Sequence, residues 1–294
     1  MPKSLKIHYL ITILLSITIV ITSLAYFQKT KRYAIFAGYN HNGQIEPYII
    51  TYLKGLDEVT DGIVYITDSP LLPNEEKKLK GINIIHSSHI RHHEYDWGSY
   101  KRGYNWLKQK GYLKKADELI FANDSTYAPL TSFKPMFKEM SKRKDLDFWG
   151  DLQNTHFNPH IQSYFIVFRK SVIQSNNFET FMNSITHQID PSLYILAYEI
   201  TLTPLLESLG YKWDTYMPYN KLSHLALPDK NSYPLTIIRD YNHQFLKRRT
   251  FTKNLTISES IPDLLNHLKT HHPQTYKNIK SANHPKLKGY FKAN

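Results

Sequence analysis

Residues 116–129 read ADELIFANDSTYAP, and this stretch decides the fold. Leu119 to Ala122 form a short apolar run of β-forming character. It stops at Asn123, Asp124 and Ser125, and Pro129 stands where a helix can begin. An apolar run this short reads as a strand buried in a parallel sheet. It delivers Asp124 to the carboxyl end of that sheet, where open α/β sheets bind ligands. One carboxylate between two oxygen-bearing side chains suits a hard divalent cation that keeps several waters and takes its other ligands from substrate phosphates. The same residues also suit an Asx turn in which Asp124 caps the next element. Asn123-Asp124-Ser125 is a formal N-glycosylation sequon as well, although a strand end inside a cleft is a poor acceptor.

Outward from this strand the chain keeps a strand–helix rhythm. Residues 33–39 (YAIFAGY) read as a first strand, closed by the turn at 40–43, and residues 45–56 carry apolar side chains at helical spacing. A second strand is expected at 62–67, ending in Asp68-Ser69-Pro70, and a third at 82–86, with a short charged helix at 73–80 between them. Further helices are expected at 97–110 and 129–142. Such alternation argues for βαβ units around a mostly parallel sheet. From Asp147 the pattern changes: 148–151 reads as a short strand and turn, and 160–169 (HIQSYFIVFR) as a longer strand. Residues 178–185 and 193–209 read as helices, the second closed by Gly210, and 211–216 as an edge strand. Beyond Pro218, residues 234–239 read as a strand and 261–270 as a short helix. After Asp263 no acidic residue remains, and that lysine-rich tail reads as solvated or frayed, or as lying on anionic lipid.

The 294 residues allow one large α/β domain with an appendage, and a hydrophobic content of 41% supports a substantial core. A net charge of +12 favours anionic partners. Cysteine is absent, which excludes a disulfide framework, a thiolate zinc site and a cysteine nucleophile. The 22 tyrosines supply amphipathic rings of the kind that stack on sugars or bases. Residues 9–27 carry no charged side chain and are long enough to span a bilayer, with Lys3 and Lys6 before them and Lys29, Lys31 and Arg32 after. The stretch reads as an uncleaved single-pass anchor rather than a signal peptide. The slight excess of positive charge on its C-terminal side favours a cytoplasmic body. The expected division is therefore an anchor and basic junction at 1–32, a main domain at 33–217 and a basic extension at 218–294.

Other residues stand out for chemistry. In His92 to Gly103 (HHEYDWGSYKRG), Gly98 and Ser99 near a helix start allow a phosphate to approach free backbone N–H groups, Lys101 adds charge, and Asp96 suits a base or ribose. Helix capping by Asp96 or Ser99 explains the same residues. His160 reads as a metal or phosphate ligand or as a structural histidine. Glu199 lies in the apolar stretch LYILAYEITLTPLL, where an unpaired carboxylate is costly. It therefore needs a partner, a proton or a cavity, and it suits a general base or an ion pair.

Taken in order, FAGYNHNGQIEPYIITYLKGL, HEYDWGSYKRG, LIFANDSTYAPL, DFWGD, HIQSYFIVF and YEITLTPLLESLGYKW resemble the rhamnan synthesis F protein family, from about Tyr33 to Trp213. Two positions depart from its pattern: His93-Glu94 replaces an Asn-x-Gly-type turn, and Asp151 replaces an apolar residue. The resemblance implies a GT-A-like, Rossmann-like sheet flanked by helices and a nucleotide-sugar glycosyltransferase of bacterial surface polysaccharide or lipopolysaccharide assembly. It also implies a donor such as dTDP-rhamnose and a glycan or lipid-linked glycan acceptor. Asn123, Asp124 and Ser125 match the family's metal and diphosphate block, and Asp96, Gly98, Ser99 and Lys101 its donor-side block. On that footing Asp124, with His160, is expected to hold Mn²⁺ or Mg²⁺, and Glu199, then Asp151, to act as base. The alternative is a non-catalytic glycan-binding or scaffold subunit. Nucleic acid is not an expected partner, since no recognition motif is present and the positive charge is interspersed with acids.

Overall fold

Strands β1 (Arg32–Gly38), β2 (Ile63–Thr67), β3 (Ile84–His89) and β4 (Glu118–Asn123) build one half of the sheet, all parallel, in the order β3-β2-β1-β4. The computed structural model describes residues 30–251 and 257–282 together with 284, 287, 290 and 291. The stretch expected to be an anchor, 9–27, lies outside the described residues. Among those described, no helix is long and apolar enough to cross a membrane.

The sheet is mostly parallel, as expected, with antiparallel strands entering beyond β4. After the two-residue β5 (Thr126–Tyr127), strands β6 (Phe148–Asn154), β7 (His160–Ile161) and β8 (Phe165–Arg169) follow. β8 runs antiparallel to β4 and β6, and β9 (Trp213–Met217) then pairs parallel to β6. The strand expected at 160–169 is two strands. At the end of β7 the N–H of Ile161 goes to Thr203 Oγ1 (3.1 Å), and between the two strands that of Ser163 goes to Glu199 Oε2 (3.0 Å), so side chains take donors that a continuous ladder would use.

Both faces of the central strands are buried, as period-2 alternation requires. Ala34 and Phe36 of β1 and Ile120 and Ala122 of β4 pack on one side, against helices α1 (Pro47–Asp57) and, further along the chain, Phe133, Met136 and Phe137. Tyr33, Ile35, Leu119 and Phe121 pack on the other, against α2 (Tyr95–Gln109). Helix α2 buries Trp97, Tyr100, Tyr104 and Leu107 at three- and four-residue spacing. It lies so close to β1 that a Cβ on Gly103 would sit 2.5 Å from Ile35 Cγ2. The remaining longer helices are α3 (Lys134–Met140), α4 (Asn176–Ser184), α5 (Ile200–Ser208), α6 (Pro234–Tyr241), α7 (Ile261–His271) and α8 (Pro273–Ser281).

Residues from Arg32 to Asn294 form one compact unit, so the stretch read as a C-terminal extension belongs to the same body. Residues 234–239, expected as a strand, are helical. The apolar side chains Pro234, Ile237 and Ile238 share a helical face, and the Glu259 carboxylate accepts the otherwise orphaned N–H groups of Leu235 (2.6 Å) and Thr236 (3.0 Å). The lysine-rich tail contains α7 and α8, whose Leu264, Leu265, Leu268 and Ile279 enter the core beside α1. Strand β10 (Leu246–Lys247) pairs antiparallel with β5, directly beside the Asp124 turn.

Candidate functional site

Strand β4 ends as its sequence implies. The Asn123 carboxamide oxygen accepts from the Ser125 N–H (3.1 Å) and hydroxyl (2.6 Å), closing an Asx turn, while its Nδ2 donates to Asp96 Oδ2 (2.7 Å). Asp124 follows at the carboxyl end of the sheet. Its Oδ2 accepts the Tyr39 N–H (2.7 Å) just beyond the end of β1. Burial raises the Asp124 pKa, and the neighbouring Arg248 guanidinium works against that rise.

Asp96 stands in the first turn of α2, and its pKa is pushed up to about 8, by burial first and by the Asp124 charge second, against the pull of Lys247; Glu199 and Asp68 add to the rise. Asp96 thus lies within electrostatic reach of Asp124 and Glu199, carboxylates from two other elements. What fixes Asp96 is the end of β2. Buried Asp68 accepts the N–H groups of His92 (2.6 Å), His93 (2.8 Å) and Tyr95 (3.4 Å), and pairs with Arg91 at 2.9 Å. His93 and Tyr95 sit at φ of 60° and 53°, a region that costs non-glycine residues energy and persists only where surrounding contacts hold it.

The rest of the donor-side block faces elsewhere. The Gly98 N–H donates to Glu94 O (2.9 Å) inside the helix, and a Cβ there would meet Glu94 Cβ at 2.2 Å, so Gly98 serves packing rather than a phosphate. Ser99 is buried with its hydroxyl 3.0 Å from His92 Nε2. The Lys101 ammonium caps the end of α4, donating to Ile185 O (2.6 Å) and Asn183 O (3.2 Å). The N–H groups of Gly98 and Ser99 are not free for a phosphate, because α2 begins at Tyr95 and places them inside its hydrogen-bonded body, while Lys101 is engaged through its side chain.

Glu199 closes a short π-helical segment, Ile195–Glu199, immediately before α5. Such segments occur often at functional sites. Its Oε2 accepts the Ser163 N–H at 3.0 Å and the Ser163 hydroxyl, and Oε1 lies 3.8 Å from His160 Nε2. His160 Nδ1 is 2.7 Å from Asn158 O, so this ring donates to backbone and faces Glu199 with its other nitrogen. The structure therefore sets His160 beside the candidate base, not beside Asp124. Asp151, the second candidate base, is 0% exposed. Its Oδ2 accepts the Tyr164 hydroxyl and lies 2.6 Å from His243 Nε2, which makes it a core carboxylate out of reach of any acceptor hydroxyl.

Several residues near Asp96 and Asp124 escaped the sequence reading. Lys247 and Arg248 arrive on β10 and just after it: the Lys247 ammonium sits 3.8 Å over the Tyr164 ring and 3.4 Å from Ser125 Oγ. Arg248 donates to Asp124 O (3.2 Å), lies 3.7 Å from Glu46 Oε2 and stacks 4.4 Å over Tyr48. Asp68 had a legible signal, an acid at a strand end like Asp124. Lys247 and Arg248 had only a basic run, Lys247-Arg248-Arg249, with no strand pattern around it.

A family model described as Rhamnan synthesis protein F matches residues 63–287. The virulence protein VirA of Vibrio anguillarum (strain ATCC 68554 / 775) is 24% identical over 285 aligned residues, covering 91% of this chain and 90% of that protein. Among solved structures, a cytidylyltransferase from Leptospira borgpetersenii serovar Hardjo-bovis aligns with TM-score 0.40 and 12% identity, over 85% of this chain and 98% of that one. Glucosyl-3-phosphoglycerate synthase from Mycobacterium tuberculosis aligns with TM-score 0.35 and 10% identity, over 61% and 79% of the two chains. The family model spans most of the sheet, the Asp124 turn and the strand that brings Lys247. The chain belongs to the rhamnan synthesis protein F family.

Proposed function

We propose that this protein is a glycosyltransferase that moves a sugar, rhamnose or a relative of it, from a nucleotide-sugar donor to a bacterial surface glycan. The observation that carries this reading is the placement of Asp124 and Asp96 at the carboxyl ends of β1 and β4, where Asp124 accepts the Tyr39 N–H and the adjacent Asn123 donates to Asp96. Asp124 fits a single-carboxylate cation site, with one oxygen oriented by the Tyr39 N–H. Among the described residues no three His, Cys, Asp or Glu side chains gather as a complete ligand set, so the donor's phosphates would complete it. Mn²⁺ or Mg²⁺ bound there supplies positive charge to the departing diphosphate.

The chain's own residues do the rest. Asn123 holds Asp96, which faces the nucleoside end of the donor. Ser163 fixes Glu199 Oε2 through two hydrogen bonds and leaves Oε1 to receive the acceptor proton. In the net reaction the acceptor oxygen bonds to the anomeric carbon, the carbon–oxygen bond to the diphosphate breaks, and the bonding pair leaves with the diphosphate. Residues 9–27 would anchor the protein in the membrane with its body in the cytoplasm; alkaline extraction of membranes tests this, release into the soluble fraction overturning it.

The deciding experiment incubates the detergent-solubilised full chain with a panel of nucleotide sugars, dTDP-rhamnose first, plus Mn²⁺ or Mg²⁺ and glycan acceptors. Release of nucleoside diphosphate from one donor is the expected result. Donor and glycan binding without release from any donor would instead establish a non-catalytic subunit.

A further inference from the structure

We propose that Lys247 and Arg248 are the diphosphate-binding cations of this site, so that the chain itself, and not a metal alone, holds the phosphate charge. The proposal rests on the nucleotide-sugar reading above and adds the residues that grip the donor.

The placement comes from the sheet. Lys247 pairs with Thr126 and Leu246 with Tyr127, and the Arg248 N–H donates to Ser125 O at 2.9 Å, so these two cations run alongside the turn that carries Asp124. Lys247 has no anion in contact, and Arg248, though 3.7 Å from Glu46 Oε2, is not fully paired. Lys247 is 9% exposed, yet among the described residues no carboxylate lies within ion-pair distance of it, and its three-donor ammonium has a single long hydrogen bond, to Ser125 Oγ. Asp96, Glu199 and Asp229 act on it only at longer range. Arg248 directs one N–H to Asp124 O, while its Nε is buried with no hydrogen-bond partner. Buried donors are almost always paired, and a buried ammonium without a contact anion is costly. An anion with several oxygens, entering between Asp124 and Glu199, would satisfy both side chains at once.

Rigidity supports the same conclusion. The rings of Tyr164 and Tyr48 lie under Lys247 and Arg248, and the Tyr164 hydroxyl is anchored in turn on Asp151. Charges held before the ligand arrives need no reorganisation as negative charge develops on the leaving oxygen. Burial also pushes Lys247 down to about 8, a cost that an anionic ligand would reverse. As the anomeric bond breaks, its electron pair passes to the terminal phosphate oxygen, whose charge Lys247 and Arg248 stabilise, while the acceptor proton goes to Glu199.

The test is calorimetric titration of the full chain in detergent with UDP, dTDP, GDP, CDP and inorganic pyrophosphate, each with Mg²⁺ and with EDTA. At least one nucleoside diphosphate should bind, EDTA should weaken binding without abolishing it, and Lys247→Gln should lower affinity by more than about tenfold in both buffers. Lys247→Arg, which keeps the charge, should stay within a few-fold. Unchanged binding by Lys247→Gln, or complete loss of wild-type binding in EDTA, would overturn the proposal while leaving the nucleotide-sugar reading intact. Binding of pyrophosphate with no preference for a nucleoside diphosphate would reassign the cations to another diphosphate ligand and overturn the donor assignment. No binding of any nucleoside diphosphate by the wild type would overturn both readings. Should Lys247→Gln fail to give a cooperative melting curve, Arg248→Gln is judged by the same criteria.

Discussion

At the scale of single residues, Glu199 and Asp151 divide two roles that look alike on paper. Glu199→Gln keeps the Ser163 contacts but removes proton acceptance, so turnover should fall by roughly 10² or more with donor binding retained. Steady-state rates and titration on one preparation check this, and full activity with a lowered melting point would make Glu199 structural. Asp151→Ala should act on stability instead. It strands His243 and the Tyr164 hydroxyl in the core, at a cost of about 3 kcal/mol in denaturant unfolding. The charges of Asp96 and Lys247 predict a pH dependence of their own. Asp96 is raised from its ordinary 3.8 to about 8, so the folded state binds more protons than the unfolded one between those values, and its contribution falls as pH rises to 8. Lys247 is lowered from 10.5 to about 8, so its penalty is fully present below 8 and is relieved as pH rises towards 10.5. Melting temperatures of Asp96→Asn and Lys247→Met relative to wild type should therefore both be most favourable near pH 8. The Asp96→Asn gain should vanish towards pH 4 and the Lys247→Met gain towards pH 10.5. Flat differences across the range would show that neither group is strained.

Among elements, α2 shows how a helix can be legible while its function is not. The spacing of Trp97, Tyr100, Tyr104 and Leu107 announces the helix and its buried face. Its first residue, which decides whether Gly98 and Ser99 offer free N–H groups, depends on Asp68, a residue just past the end of β2 that binds the preceding loop. The contact of α2 with β1 gives a prediction in the same terms. Gly103→Ala should gain about 1 kcal/mol in helix propensity, yet its Cβ would press on Ile35 Cγ2 in a fully buried layer. Overpacking of this kind costs roughly 1–3 kcal/mol, so the net change should be a loss of stability, measured by denaturant midpoint. The strand expected at 160–169 failed for a related reason. Its residues have the propensity, but Thr203 and Glu199 compete for two of its donors.

For the molecule as a whole, the C-terminal quarter is the main difference between expectation and structure. Residues 218–294 look basic and sparse in sequence, yet α8 packs on α1, α7 packs on α8, and β10 reaches the Asp124 turn. A chain ending after Met217 should therefore not fold cooperatively, as judged by loss of a sharp thermal transition, because Phe245, Phe251, Leu264 and Leu268 leave the core. Sequence by itself determined the α/β class, the four parallel strands and the place of Asp124, because each depends on local periodicity and on a strand ending in a turn. The six ordered blocks also identified the family. Only the tertiary structure decided that His160 stands beside Glu199, that Asp151 is a core acid, and that Lys247 and Arg248 run alongside the Asp124 turn. These depend on which N–H, ring or carboxylate meets a side chain from a distant part of the chain, and strand pairing across more than a hundred residues leaves no local pattern to read.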